Sequence, residues 1–287
     1  MKLSWFSPLP PAHTEIGNVT GRMLPALASA FDLTVYTEAP AWDPDLDRHC
    51  PITTFGSETI DWKTLNLSGL PVYHIGNNIH FHGEIIKVAR RCPGTVVLHD
   101  LALHETILNL CLRKGSGRAG YFDILHKYGR EPAVRAGRAF LDEGAGDTNQ
   151  LSVEYPLFEY VLENAVGVIT HNPLNAAFVR KASGAPVLYA PLPFLDRGRM
   201  APPVVRAPRE SEPYRILIFG FLGSDNRRLH PFLKALSECA ASGRFTLTLA
   251  GKYDEKKVKS WIQNLGLSGR TTLRGFVSDG ELDALLA

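Results

Sequence analysis

Residues 95–104 read TVVLHDLALH, and the first four decide what kind of sheet this chain builds. Thr95, Val96, Val97 and Leu98 are β-branched or aliphatic with no charged residue alternating between them, so the strand they form is buried on both faces. The run then stops at His99-Asp100. Working outward, the same texture recurs at residues 2–6, 33–37 and 72–75 upstream, and at 166–170 (VGVIT) and 186–190 (PVLYA) downstream. Helical patterns fall between these runs, at 17–30, 83–92, 154–164 and 172–181. The last opens on Asn172-Pro173, a proline position that a helix start tolerates. Strands without alternation, separated by helices, predict an α/β fold with a parallel sheet covered on both sides.

Residues 113–150 depart from this rhythm. They are rich in Gly, Arg and Ala, with helical spacing of apolar residues over 121–128 and 133–141, and predict an inserted, mobile pair of helices. Residues 197–213 (RGRMAPPVVRAPRESEP) show no periodicity and predict a linker. After it the pattern restarts: strand 215–222 (RILIFGFL), helix 229–242, strand 245–251, helix 254–265 and strand 271–277. A last helix starts at Ser278, where Glu281 completes an S-x-x-E capping box. The expected organisation is a first domain over 1–196 carrying the 113–150 insertion, a linker over 197–213, and a second domain over 214–287. That second domain is small and its apolar central strands call for further neighbours, so it reads as incomplete.

With 287 residues, 45% of them hydrophobic, the chain has material for about two domains. No run approaches the roughly 18 apolar residues of a spanning helix. The opening MKLSWFSPLPP is too short and too rich in proline for a signal peptide, which predicts a cytoplasmic protein. Thirty-one basic against 29 acidic side chains give a net charge of +2, not the basic surface of a nucleic-acid binder. Cys50, Cys92, Cys111 and Cys239 are scattered without C-x-x-C spacing, which suits buried thiols better than zinc or disulfides.

In open parallel sheets ligands bind beyond the carboxyl ends of the strands. Three such places carry candidate chemistry. The loop 7–17 (SPLPPAHTEIG) is stiffened by prolines, and Gly17 would let a bound group approach a helix N-terminus. It lacks the G-x-G-x-x-G fingerprint, so NAD binding has no support. His99 with Asp100 can donate, accept or shuttle a proton at a strand end. The turn 219–229 (FGFLGSDNRRL) brings glycine amides (Gly220, Gly223) and Arg227 to a helix start, a cradle suited to a diphosphate. It is no P-loop, lacking G-x-x-x-x-G-K-[ST]. His80-x-His82 and His104-Glu105 do not build a metal site, so none is expected.

Taken in order, SPLPP, VYHIGNN (72–78), VVLHDLALH (96–104), YPLFEYVLENAVGVITHN (155–172), FGFLGSDNRRL, TLAGK (248–252) and LRGFVSDGELDALLA (273–287) span the chain. Together they resemble the GT-B glycosyltransferases of family 4, the glycosyl transferases group 1, in a bacterial branch. The resemblance implies two Rossmann-like domains facing a cleft, the first for the acceptor and the second for the donor. It places Gly17 against the donor diphosphate and His99, beside Asp100, against the donor sugar. It assigns diphosphate neutralisation to an Arg and, six positions later, a Lys; here these positions hold Phe221 and Arg227. Gly251-Lys252 and the turn holding Phe276 match segments lining the nucleotide pocket. The family's E-x7-E element would lie beyond Ala287, so the chain is expected to be C-terminally truncated and by itself inactive.

The function implied is retaining transfer of a sugar from a UDP- or GDP-linked donor to a hydroxyl on a carbohydrate or lipid-linked acceptor. This is the chemistry of glycan, lipid or polysaccharide biosynthesis, needing neither metal nor cofactor. Two other readings stay open: a non-catalytic glycan- or protein-binding module of the same fold, and a nucleotide-sugar epimerase. Basic residues within 113–138 also offer a peripheral contact to anionic lipid.

Overall fold

A strand with apolar residues at every position must find cover on both faces, and in the first sheet helices packed on either side supply it. In the computed structural model, which describes residues 1–193, 212–223, 227–239 and 243–286, the chain forms two units, Met1–Leu195 and Asp196–Ala287. Most of the linker at 197–213 lies outside the described residues.

The first unit runs β1 (Lys2–Phe6), α1 (Glu15–Ala30), β2 (Asp32–Thr37), β3 (Ile52–Thr54), α2 (Trp62–Leu67), β4 (Leu70–Ile75), α3 (Ile79–Ala89) and β5 (Gly94–Leu98). It continues through α4 (His104–Lys114), α5 (Gly117–Glu143), α6 (Thr148–Glu154), α7 (Glu159–Leu162), β6 (Ala165–Thr170), α8 (Pro173–Ala182) and β7 (Val187–Tyr189). The sheet is parallel throughout, in the order β3-β2-β1-β4-β5-β6-β7. Alternate residues of each strand face opposite ways. Phe6, Tyr73, Ile75, Val96 and Leu98 therefore meet Ile85 of α3, Ile107 of α4 and Tyr121 of α5 on one side. Leu3, Trp5, Val35, Val72 and Val97 meet Leu24 of α1 and Leu46 on the other. Burial on two faces explains why these strands lack a polar stripe.

One sequence expectation changes here. Residues 154–164 do not form one helix: α6 ends at Glu154, and only the short α7 follows. Pro156 is the cause, since it drives Tyr155 into an extended conformation (φ −133°, ψ 76°). The two helices expected within 113–150 are present as the halves of α5, which breaks between them at Arg130 (φ 57°, ψ −160°), two residues before Pro132.

The second unit runs β8 (Tyr214–Phe221), α9 (Leu229–Cys239), β9 (Phe245–Lys252), α10 (Glu255–Asn264), β10 (Thr271–Arg274) and α11 (Asp279–Leu286). Its sheet is parallel in the order β10-β9-β8. Leu247 and Leu249 of β9 are buried against Leu233 of α9 and Val258 and Ile262 of α10. The capping box forms at α11, with the Ser278 N–H donating to Glu281 Oε2 (2.8 Å) and the Glu281 N–H to Ser278 Oγ (3.3 Å).

Candidate functional site

In the first unit, the carboxyl ends of β4, β5 and β6 bring imidazoles together. His74 lies two residues after Val72, His99 two after Val97 and His171 two after Ile169, so all three fall on the sheet face of that second core. His99 extends β5, its N–H donating to the Ile75 carbonyl (2.9 Å). His74 Nδ1 and His99 Nε2 share a hydrogen bond of 2.9 Å. The His171 ring stands 4.9 Å from that of His99, and the Trp5 ring 4.5 Å from that of His74. Trp5, His74, His99 and His171 thus form a row across β1, β4, β5 and the end of β6. His82 Nδ1 donates to the His74 carbonyl (3.0 Å) and His171 Nδ1 to the Ala190 carbonyl (2.8 Å).

This setting keeps the imidazoles neutral. Burial, followed by the neighbouring His171 and His82, lowers His99 to about 3. Burial lowers His82 to about 4 and His74 well below the usual histidine value. At neutral pH His99 is therefore a hydrogen-bonding group rather than a cation or a proton shuttle poised near pH 7. Nor does it act with its sequence neighbour: the exposed Asp100 turns away and accepts from the Asn77 N–H (2.8 Å). His74 and His171 escaped the sequence reading. The available signal was a histidine at an inward position of an apolar strand in VYHIGNN, and a second one following VGVIT.

Gly17 sits in the first turn of α1, buried. A Cβ there would lie 3.4 Å from the carbonyl carbons of Pro8 and Leu9, so its smallness serves the packing of its own loop.

In the second unit, β8 and β9 end side by side at Gly220 and Gly251. Both have positive φ (112° and 125°). A Cβ on Gly251 would come within 2.1 Å of the Gly220 oxygen, and the Gly251 N–H donates to the Gly275 carbonyl (2.9 Å). The N–H groups of Leu222 and Gly223 both donate to the Lys252 carbonyl (2.9 and 3.2 Å). These turn amides are therefore committed to protein carbonyls. Two cationic side chains stand at these strand ends: Arg227 is exposed just before α9, and Lys252 places Nζ 5.9 Å from the centroid of the Phe221 ring. Phe276 follows β10 and is 75% exposed. Ser224, Asp225 and Asn226 lie outside the described residues. A cleft of about 330 Å³ in this unit is lined by Arg215, Leu217, Thr246, Thr248 and Leu286 and holds none of the expected donor residues.

Among the described residues no three His, Cys, Asp or Glu side chains gather as metal ligands, and no helix is long and apolar enough to cross a membrane. Cys50, Cys92 and Cys111 are buried thiols as expected, while Cys239 is exposed.

No protein-family model matches the chain, and no curated protein matches it in sequence. Solved structures do. Anabaena HepE in complex with UDP-glucose is 14% identical, with a TM-score of 0.55 over 97% of this chain and 70% of that one. Sucrose-phosphate synthase from Thermosynechococcus elongatus is 16% identical, with a TM-score of 0.54 over 98% of this chain and 72% of that one. The fold is that of GT-B glycosyltransferases.

Proposed function

We propose that this chain serves the transfer of a sugar from a nucleotide-diphosphate donor to an acceptor hydroxyl, with retention of anomeric configuration and without metal. The observation carrying this reading is positional. In both units the candidate polar groups stand at the carboxyl ends of parallel strands, where such sheets bind ligands, and the fold is shared with a protein solved holding UDP-glucose. Lys252 and Arg227 meet the diphosphate charge that grows as the glycosidic bond to the leaving group breaks. His99, neutral and held by His74, orients the donor sugar by hydrogen bonding. The first unit takes the acceptor, a carbohydrate or a lipid-linked glycan.

One observation favours a second reading, a binding module without turnover. Phe221 occupies the position where the resemblance calls for Arg, and the nearby amides of Leu222 and Gly223 are engaged by Lys252. A panel of UDP- and GDP-sugars titrated in EDTA separates the outcomes. The transferase reading expects at least one donor to bind, Arg227→Ala and Lys252→Ala each to weaken it about tenfold, and any product to keep the donor's anomeric configuration. Donors that bind but are never cleaved with any acceptor remove turnover from the reading. No binding by any donor removes the transferase and leaves the glycan- or protein-binding module.

A further inference from the structure

The first unit holds a cleft of about 320 Å³ between the start of α3 and one face of α4, lined by Asn77, Asn78, His80, Glu105, Asn109 and Arg113. Its volume is at the small end of ligand sites, enough for a compact ring with substituents. Its Asn77 backbone N–H donates to Asp100, the residue after His99.

The wall from α4 is ordered by helical spacing. Glu105, Asn109 and Arg113 recur every four residues and so share one face. Eight residues of rise put Glu105 and Arg113 about 12 Å apart. Asn109 Nδ2 donates to the Glu105 carbonyl (2.8 Å), which leaves its Oδ1 as an acceptor. Opposite, Asn77 Oδ1 accepts from the N–H and hydroxyl of Thr106 (3.1 and 2.9 Å), and Asn78 Oδ1 accepts from the His80 N–H (3.0 Å). Among the described residues neither amide's Nδ2 has a hydrogen-bond partner. Neither Glu105 nor Arg113 forms an ion pair among the described residues.

Asn77 and Asn78 offer donors, and Glu105 and Asn109 across from them offer acceptors, which suits hydroxyl groups, since each can both accept and donate. An unpaired guanidinium at the far end suits an anion held through two parallel hydrogen bonds. We propose that this cleft is a subsite for a hydroxyl-rich ligand bearing one phosphate or carboxylate, with Arg113 binding the anion and Asn109 and Glu105 the hydroxyls. Resting on the transferase reading, it makes the acceptor an anionic sugar.

The test is calorimetric titration of the chain with glucose 6-phosphate, glucuronate and glucose, each as a separate probe. The subsite requires one or both charged sugars to bind at least tenfold more tightly than glucose. Arg113→Ala abolishes that preference and Arg113→Lys restores part of it, while Asn109→Ala weakens all three probes. Arg113 is exposed, so circular dichroism matching the wild type accompanies each variant. Equal binding of charged and neutral sugars, or a preference untouched by Arg113→Ala, overturns the proposal. A parallel titration with UDP-glucose keeps the two readings apart. Charged sugars binding while no nucleotide sugar does leaves the subsite and removes the transferase; the converse removes the subsite alone.

Discussion

His74 controls what His99 can offer a ligand. Trp5 Nε1 and His74 Nε2 are both buried without a hydrogen-bond partner, and their rings are in contact. An indole nitrogen only donates, so a lone pair on His74 Nε2 is the complementary choice. The proton of His74 then sits on Nδ1 and is donated to His99 Nε2, leaving His99 with its proton on Nδ1, available to a ligand oxygen. Long-range proton–nitrogen spectra at pH 7 are expected to show His99 neutral with Nδ1 protonated, and His74→Phe to let the other tautomer appear. An imidazolium His99 would contradict this. The same burial makes stability depend on pH. Because the folded values of His74, His82 and His99 lie below the unfolded value, the unfolded chain takes up protons first as pH falls below about 6.5. Stability is complete above that pH and declines toward pH 4, by about 1.4 kcal/mol per pH unit for each extra proton bound by the unfolded chain. Urea unfolding at pH 7 and pH 5 checks it, and His82→Gln should flatten the slope. Gly251 is the other sensitive residue. Gly251→Ala combines a strained φ with a clash on Gly220 and is expected to cost about 3 kcal/mol or more, whereas Gly220→Ala, facing open space, costs about 1–2 kcal/mol. Thermal unfolding that ranks them in reverse would refute this.

At the scale of elements, α5 carries its strain at one position. Arg130 adopts a backbone conformation that glycine alone enters freely, so Arg130→Gly should stabilise the first unit by about 1 kcal/mol, measured by denaturant midpoint. At α10, Asp254 Oδ1 accepts from the Lys257 N–H (3.0 Å), and Asp254→Ala should cost about 1 kcal/mol. The long strands were readable in advance because two-sided burial writes itself as an unbroken apolar run. β3 was not, since its Thr53 and Thr54 are exposed at the sheet edge and leave no such run. α4 was missed for a different reason. Its first turn buries His104, whose Nδ1 donates to the Tyr155 carbonyl (2.6 Å) and whose Nε2 accepts from the Tyr121 hydroxyl (2.7 Å). A buried polar start hides the apolar period by which a helix is recognised. The helix expected over 154–164 fails at Pro156, a signal present in the sequence.

For the molecule as a whole, the fold class followed from the alternation of strands and helices, while the candidate site was only half legible. His99 announced itself by ending an apolar run. Its partners depended on β4 and β6 flanking β5, an order that sequence distance does not reveal. In the second unit the glycine turn was visible, but not that Lys252 and Gly275 carbonyls engage its amides. The near-neutral charge of +2 fits this picture, since the phosphate binding proposed there rests on two placed cations rather than on a basic surface. The central claim is that those cations hold a nucleotide diphosphate without metal. Calorimetric titration of the chain with UDP-glucose and GDP-mannose in EDTA tests it most directly. Saturable binding of at least one of them, weakened about tenfold by Lys252→Ala, is the result expected; no binding of either, or binding indifferent to Lys252→Ala and Arg227→Ala alike, would contradict it.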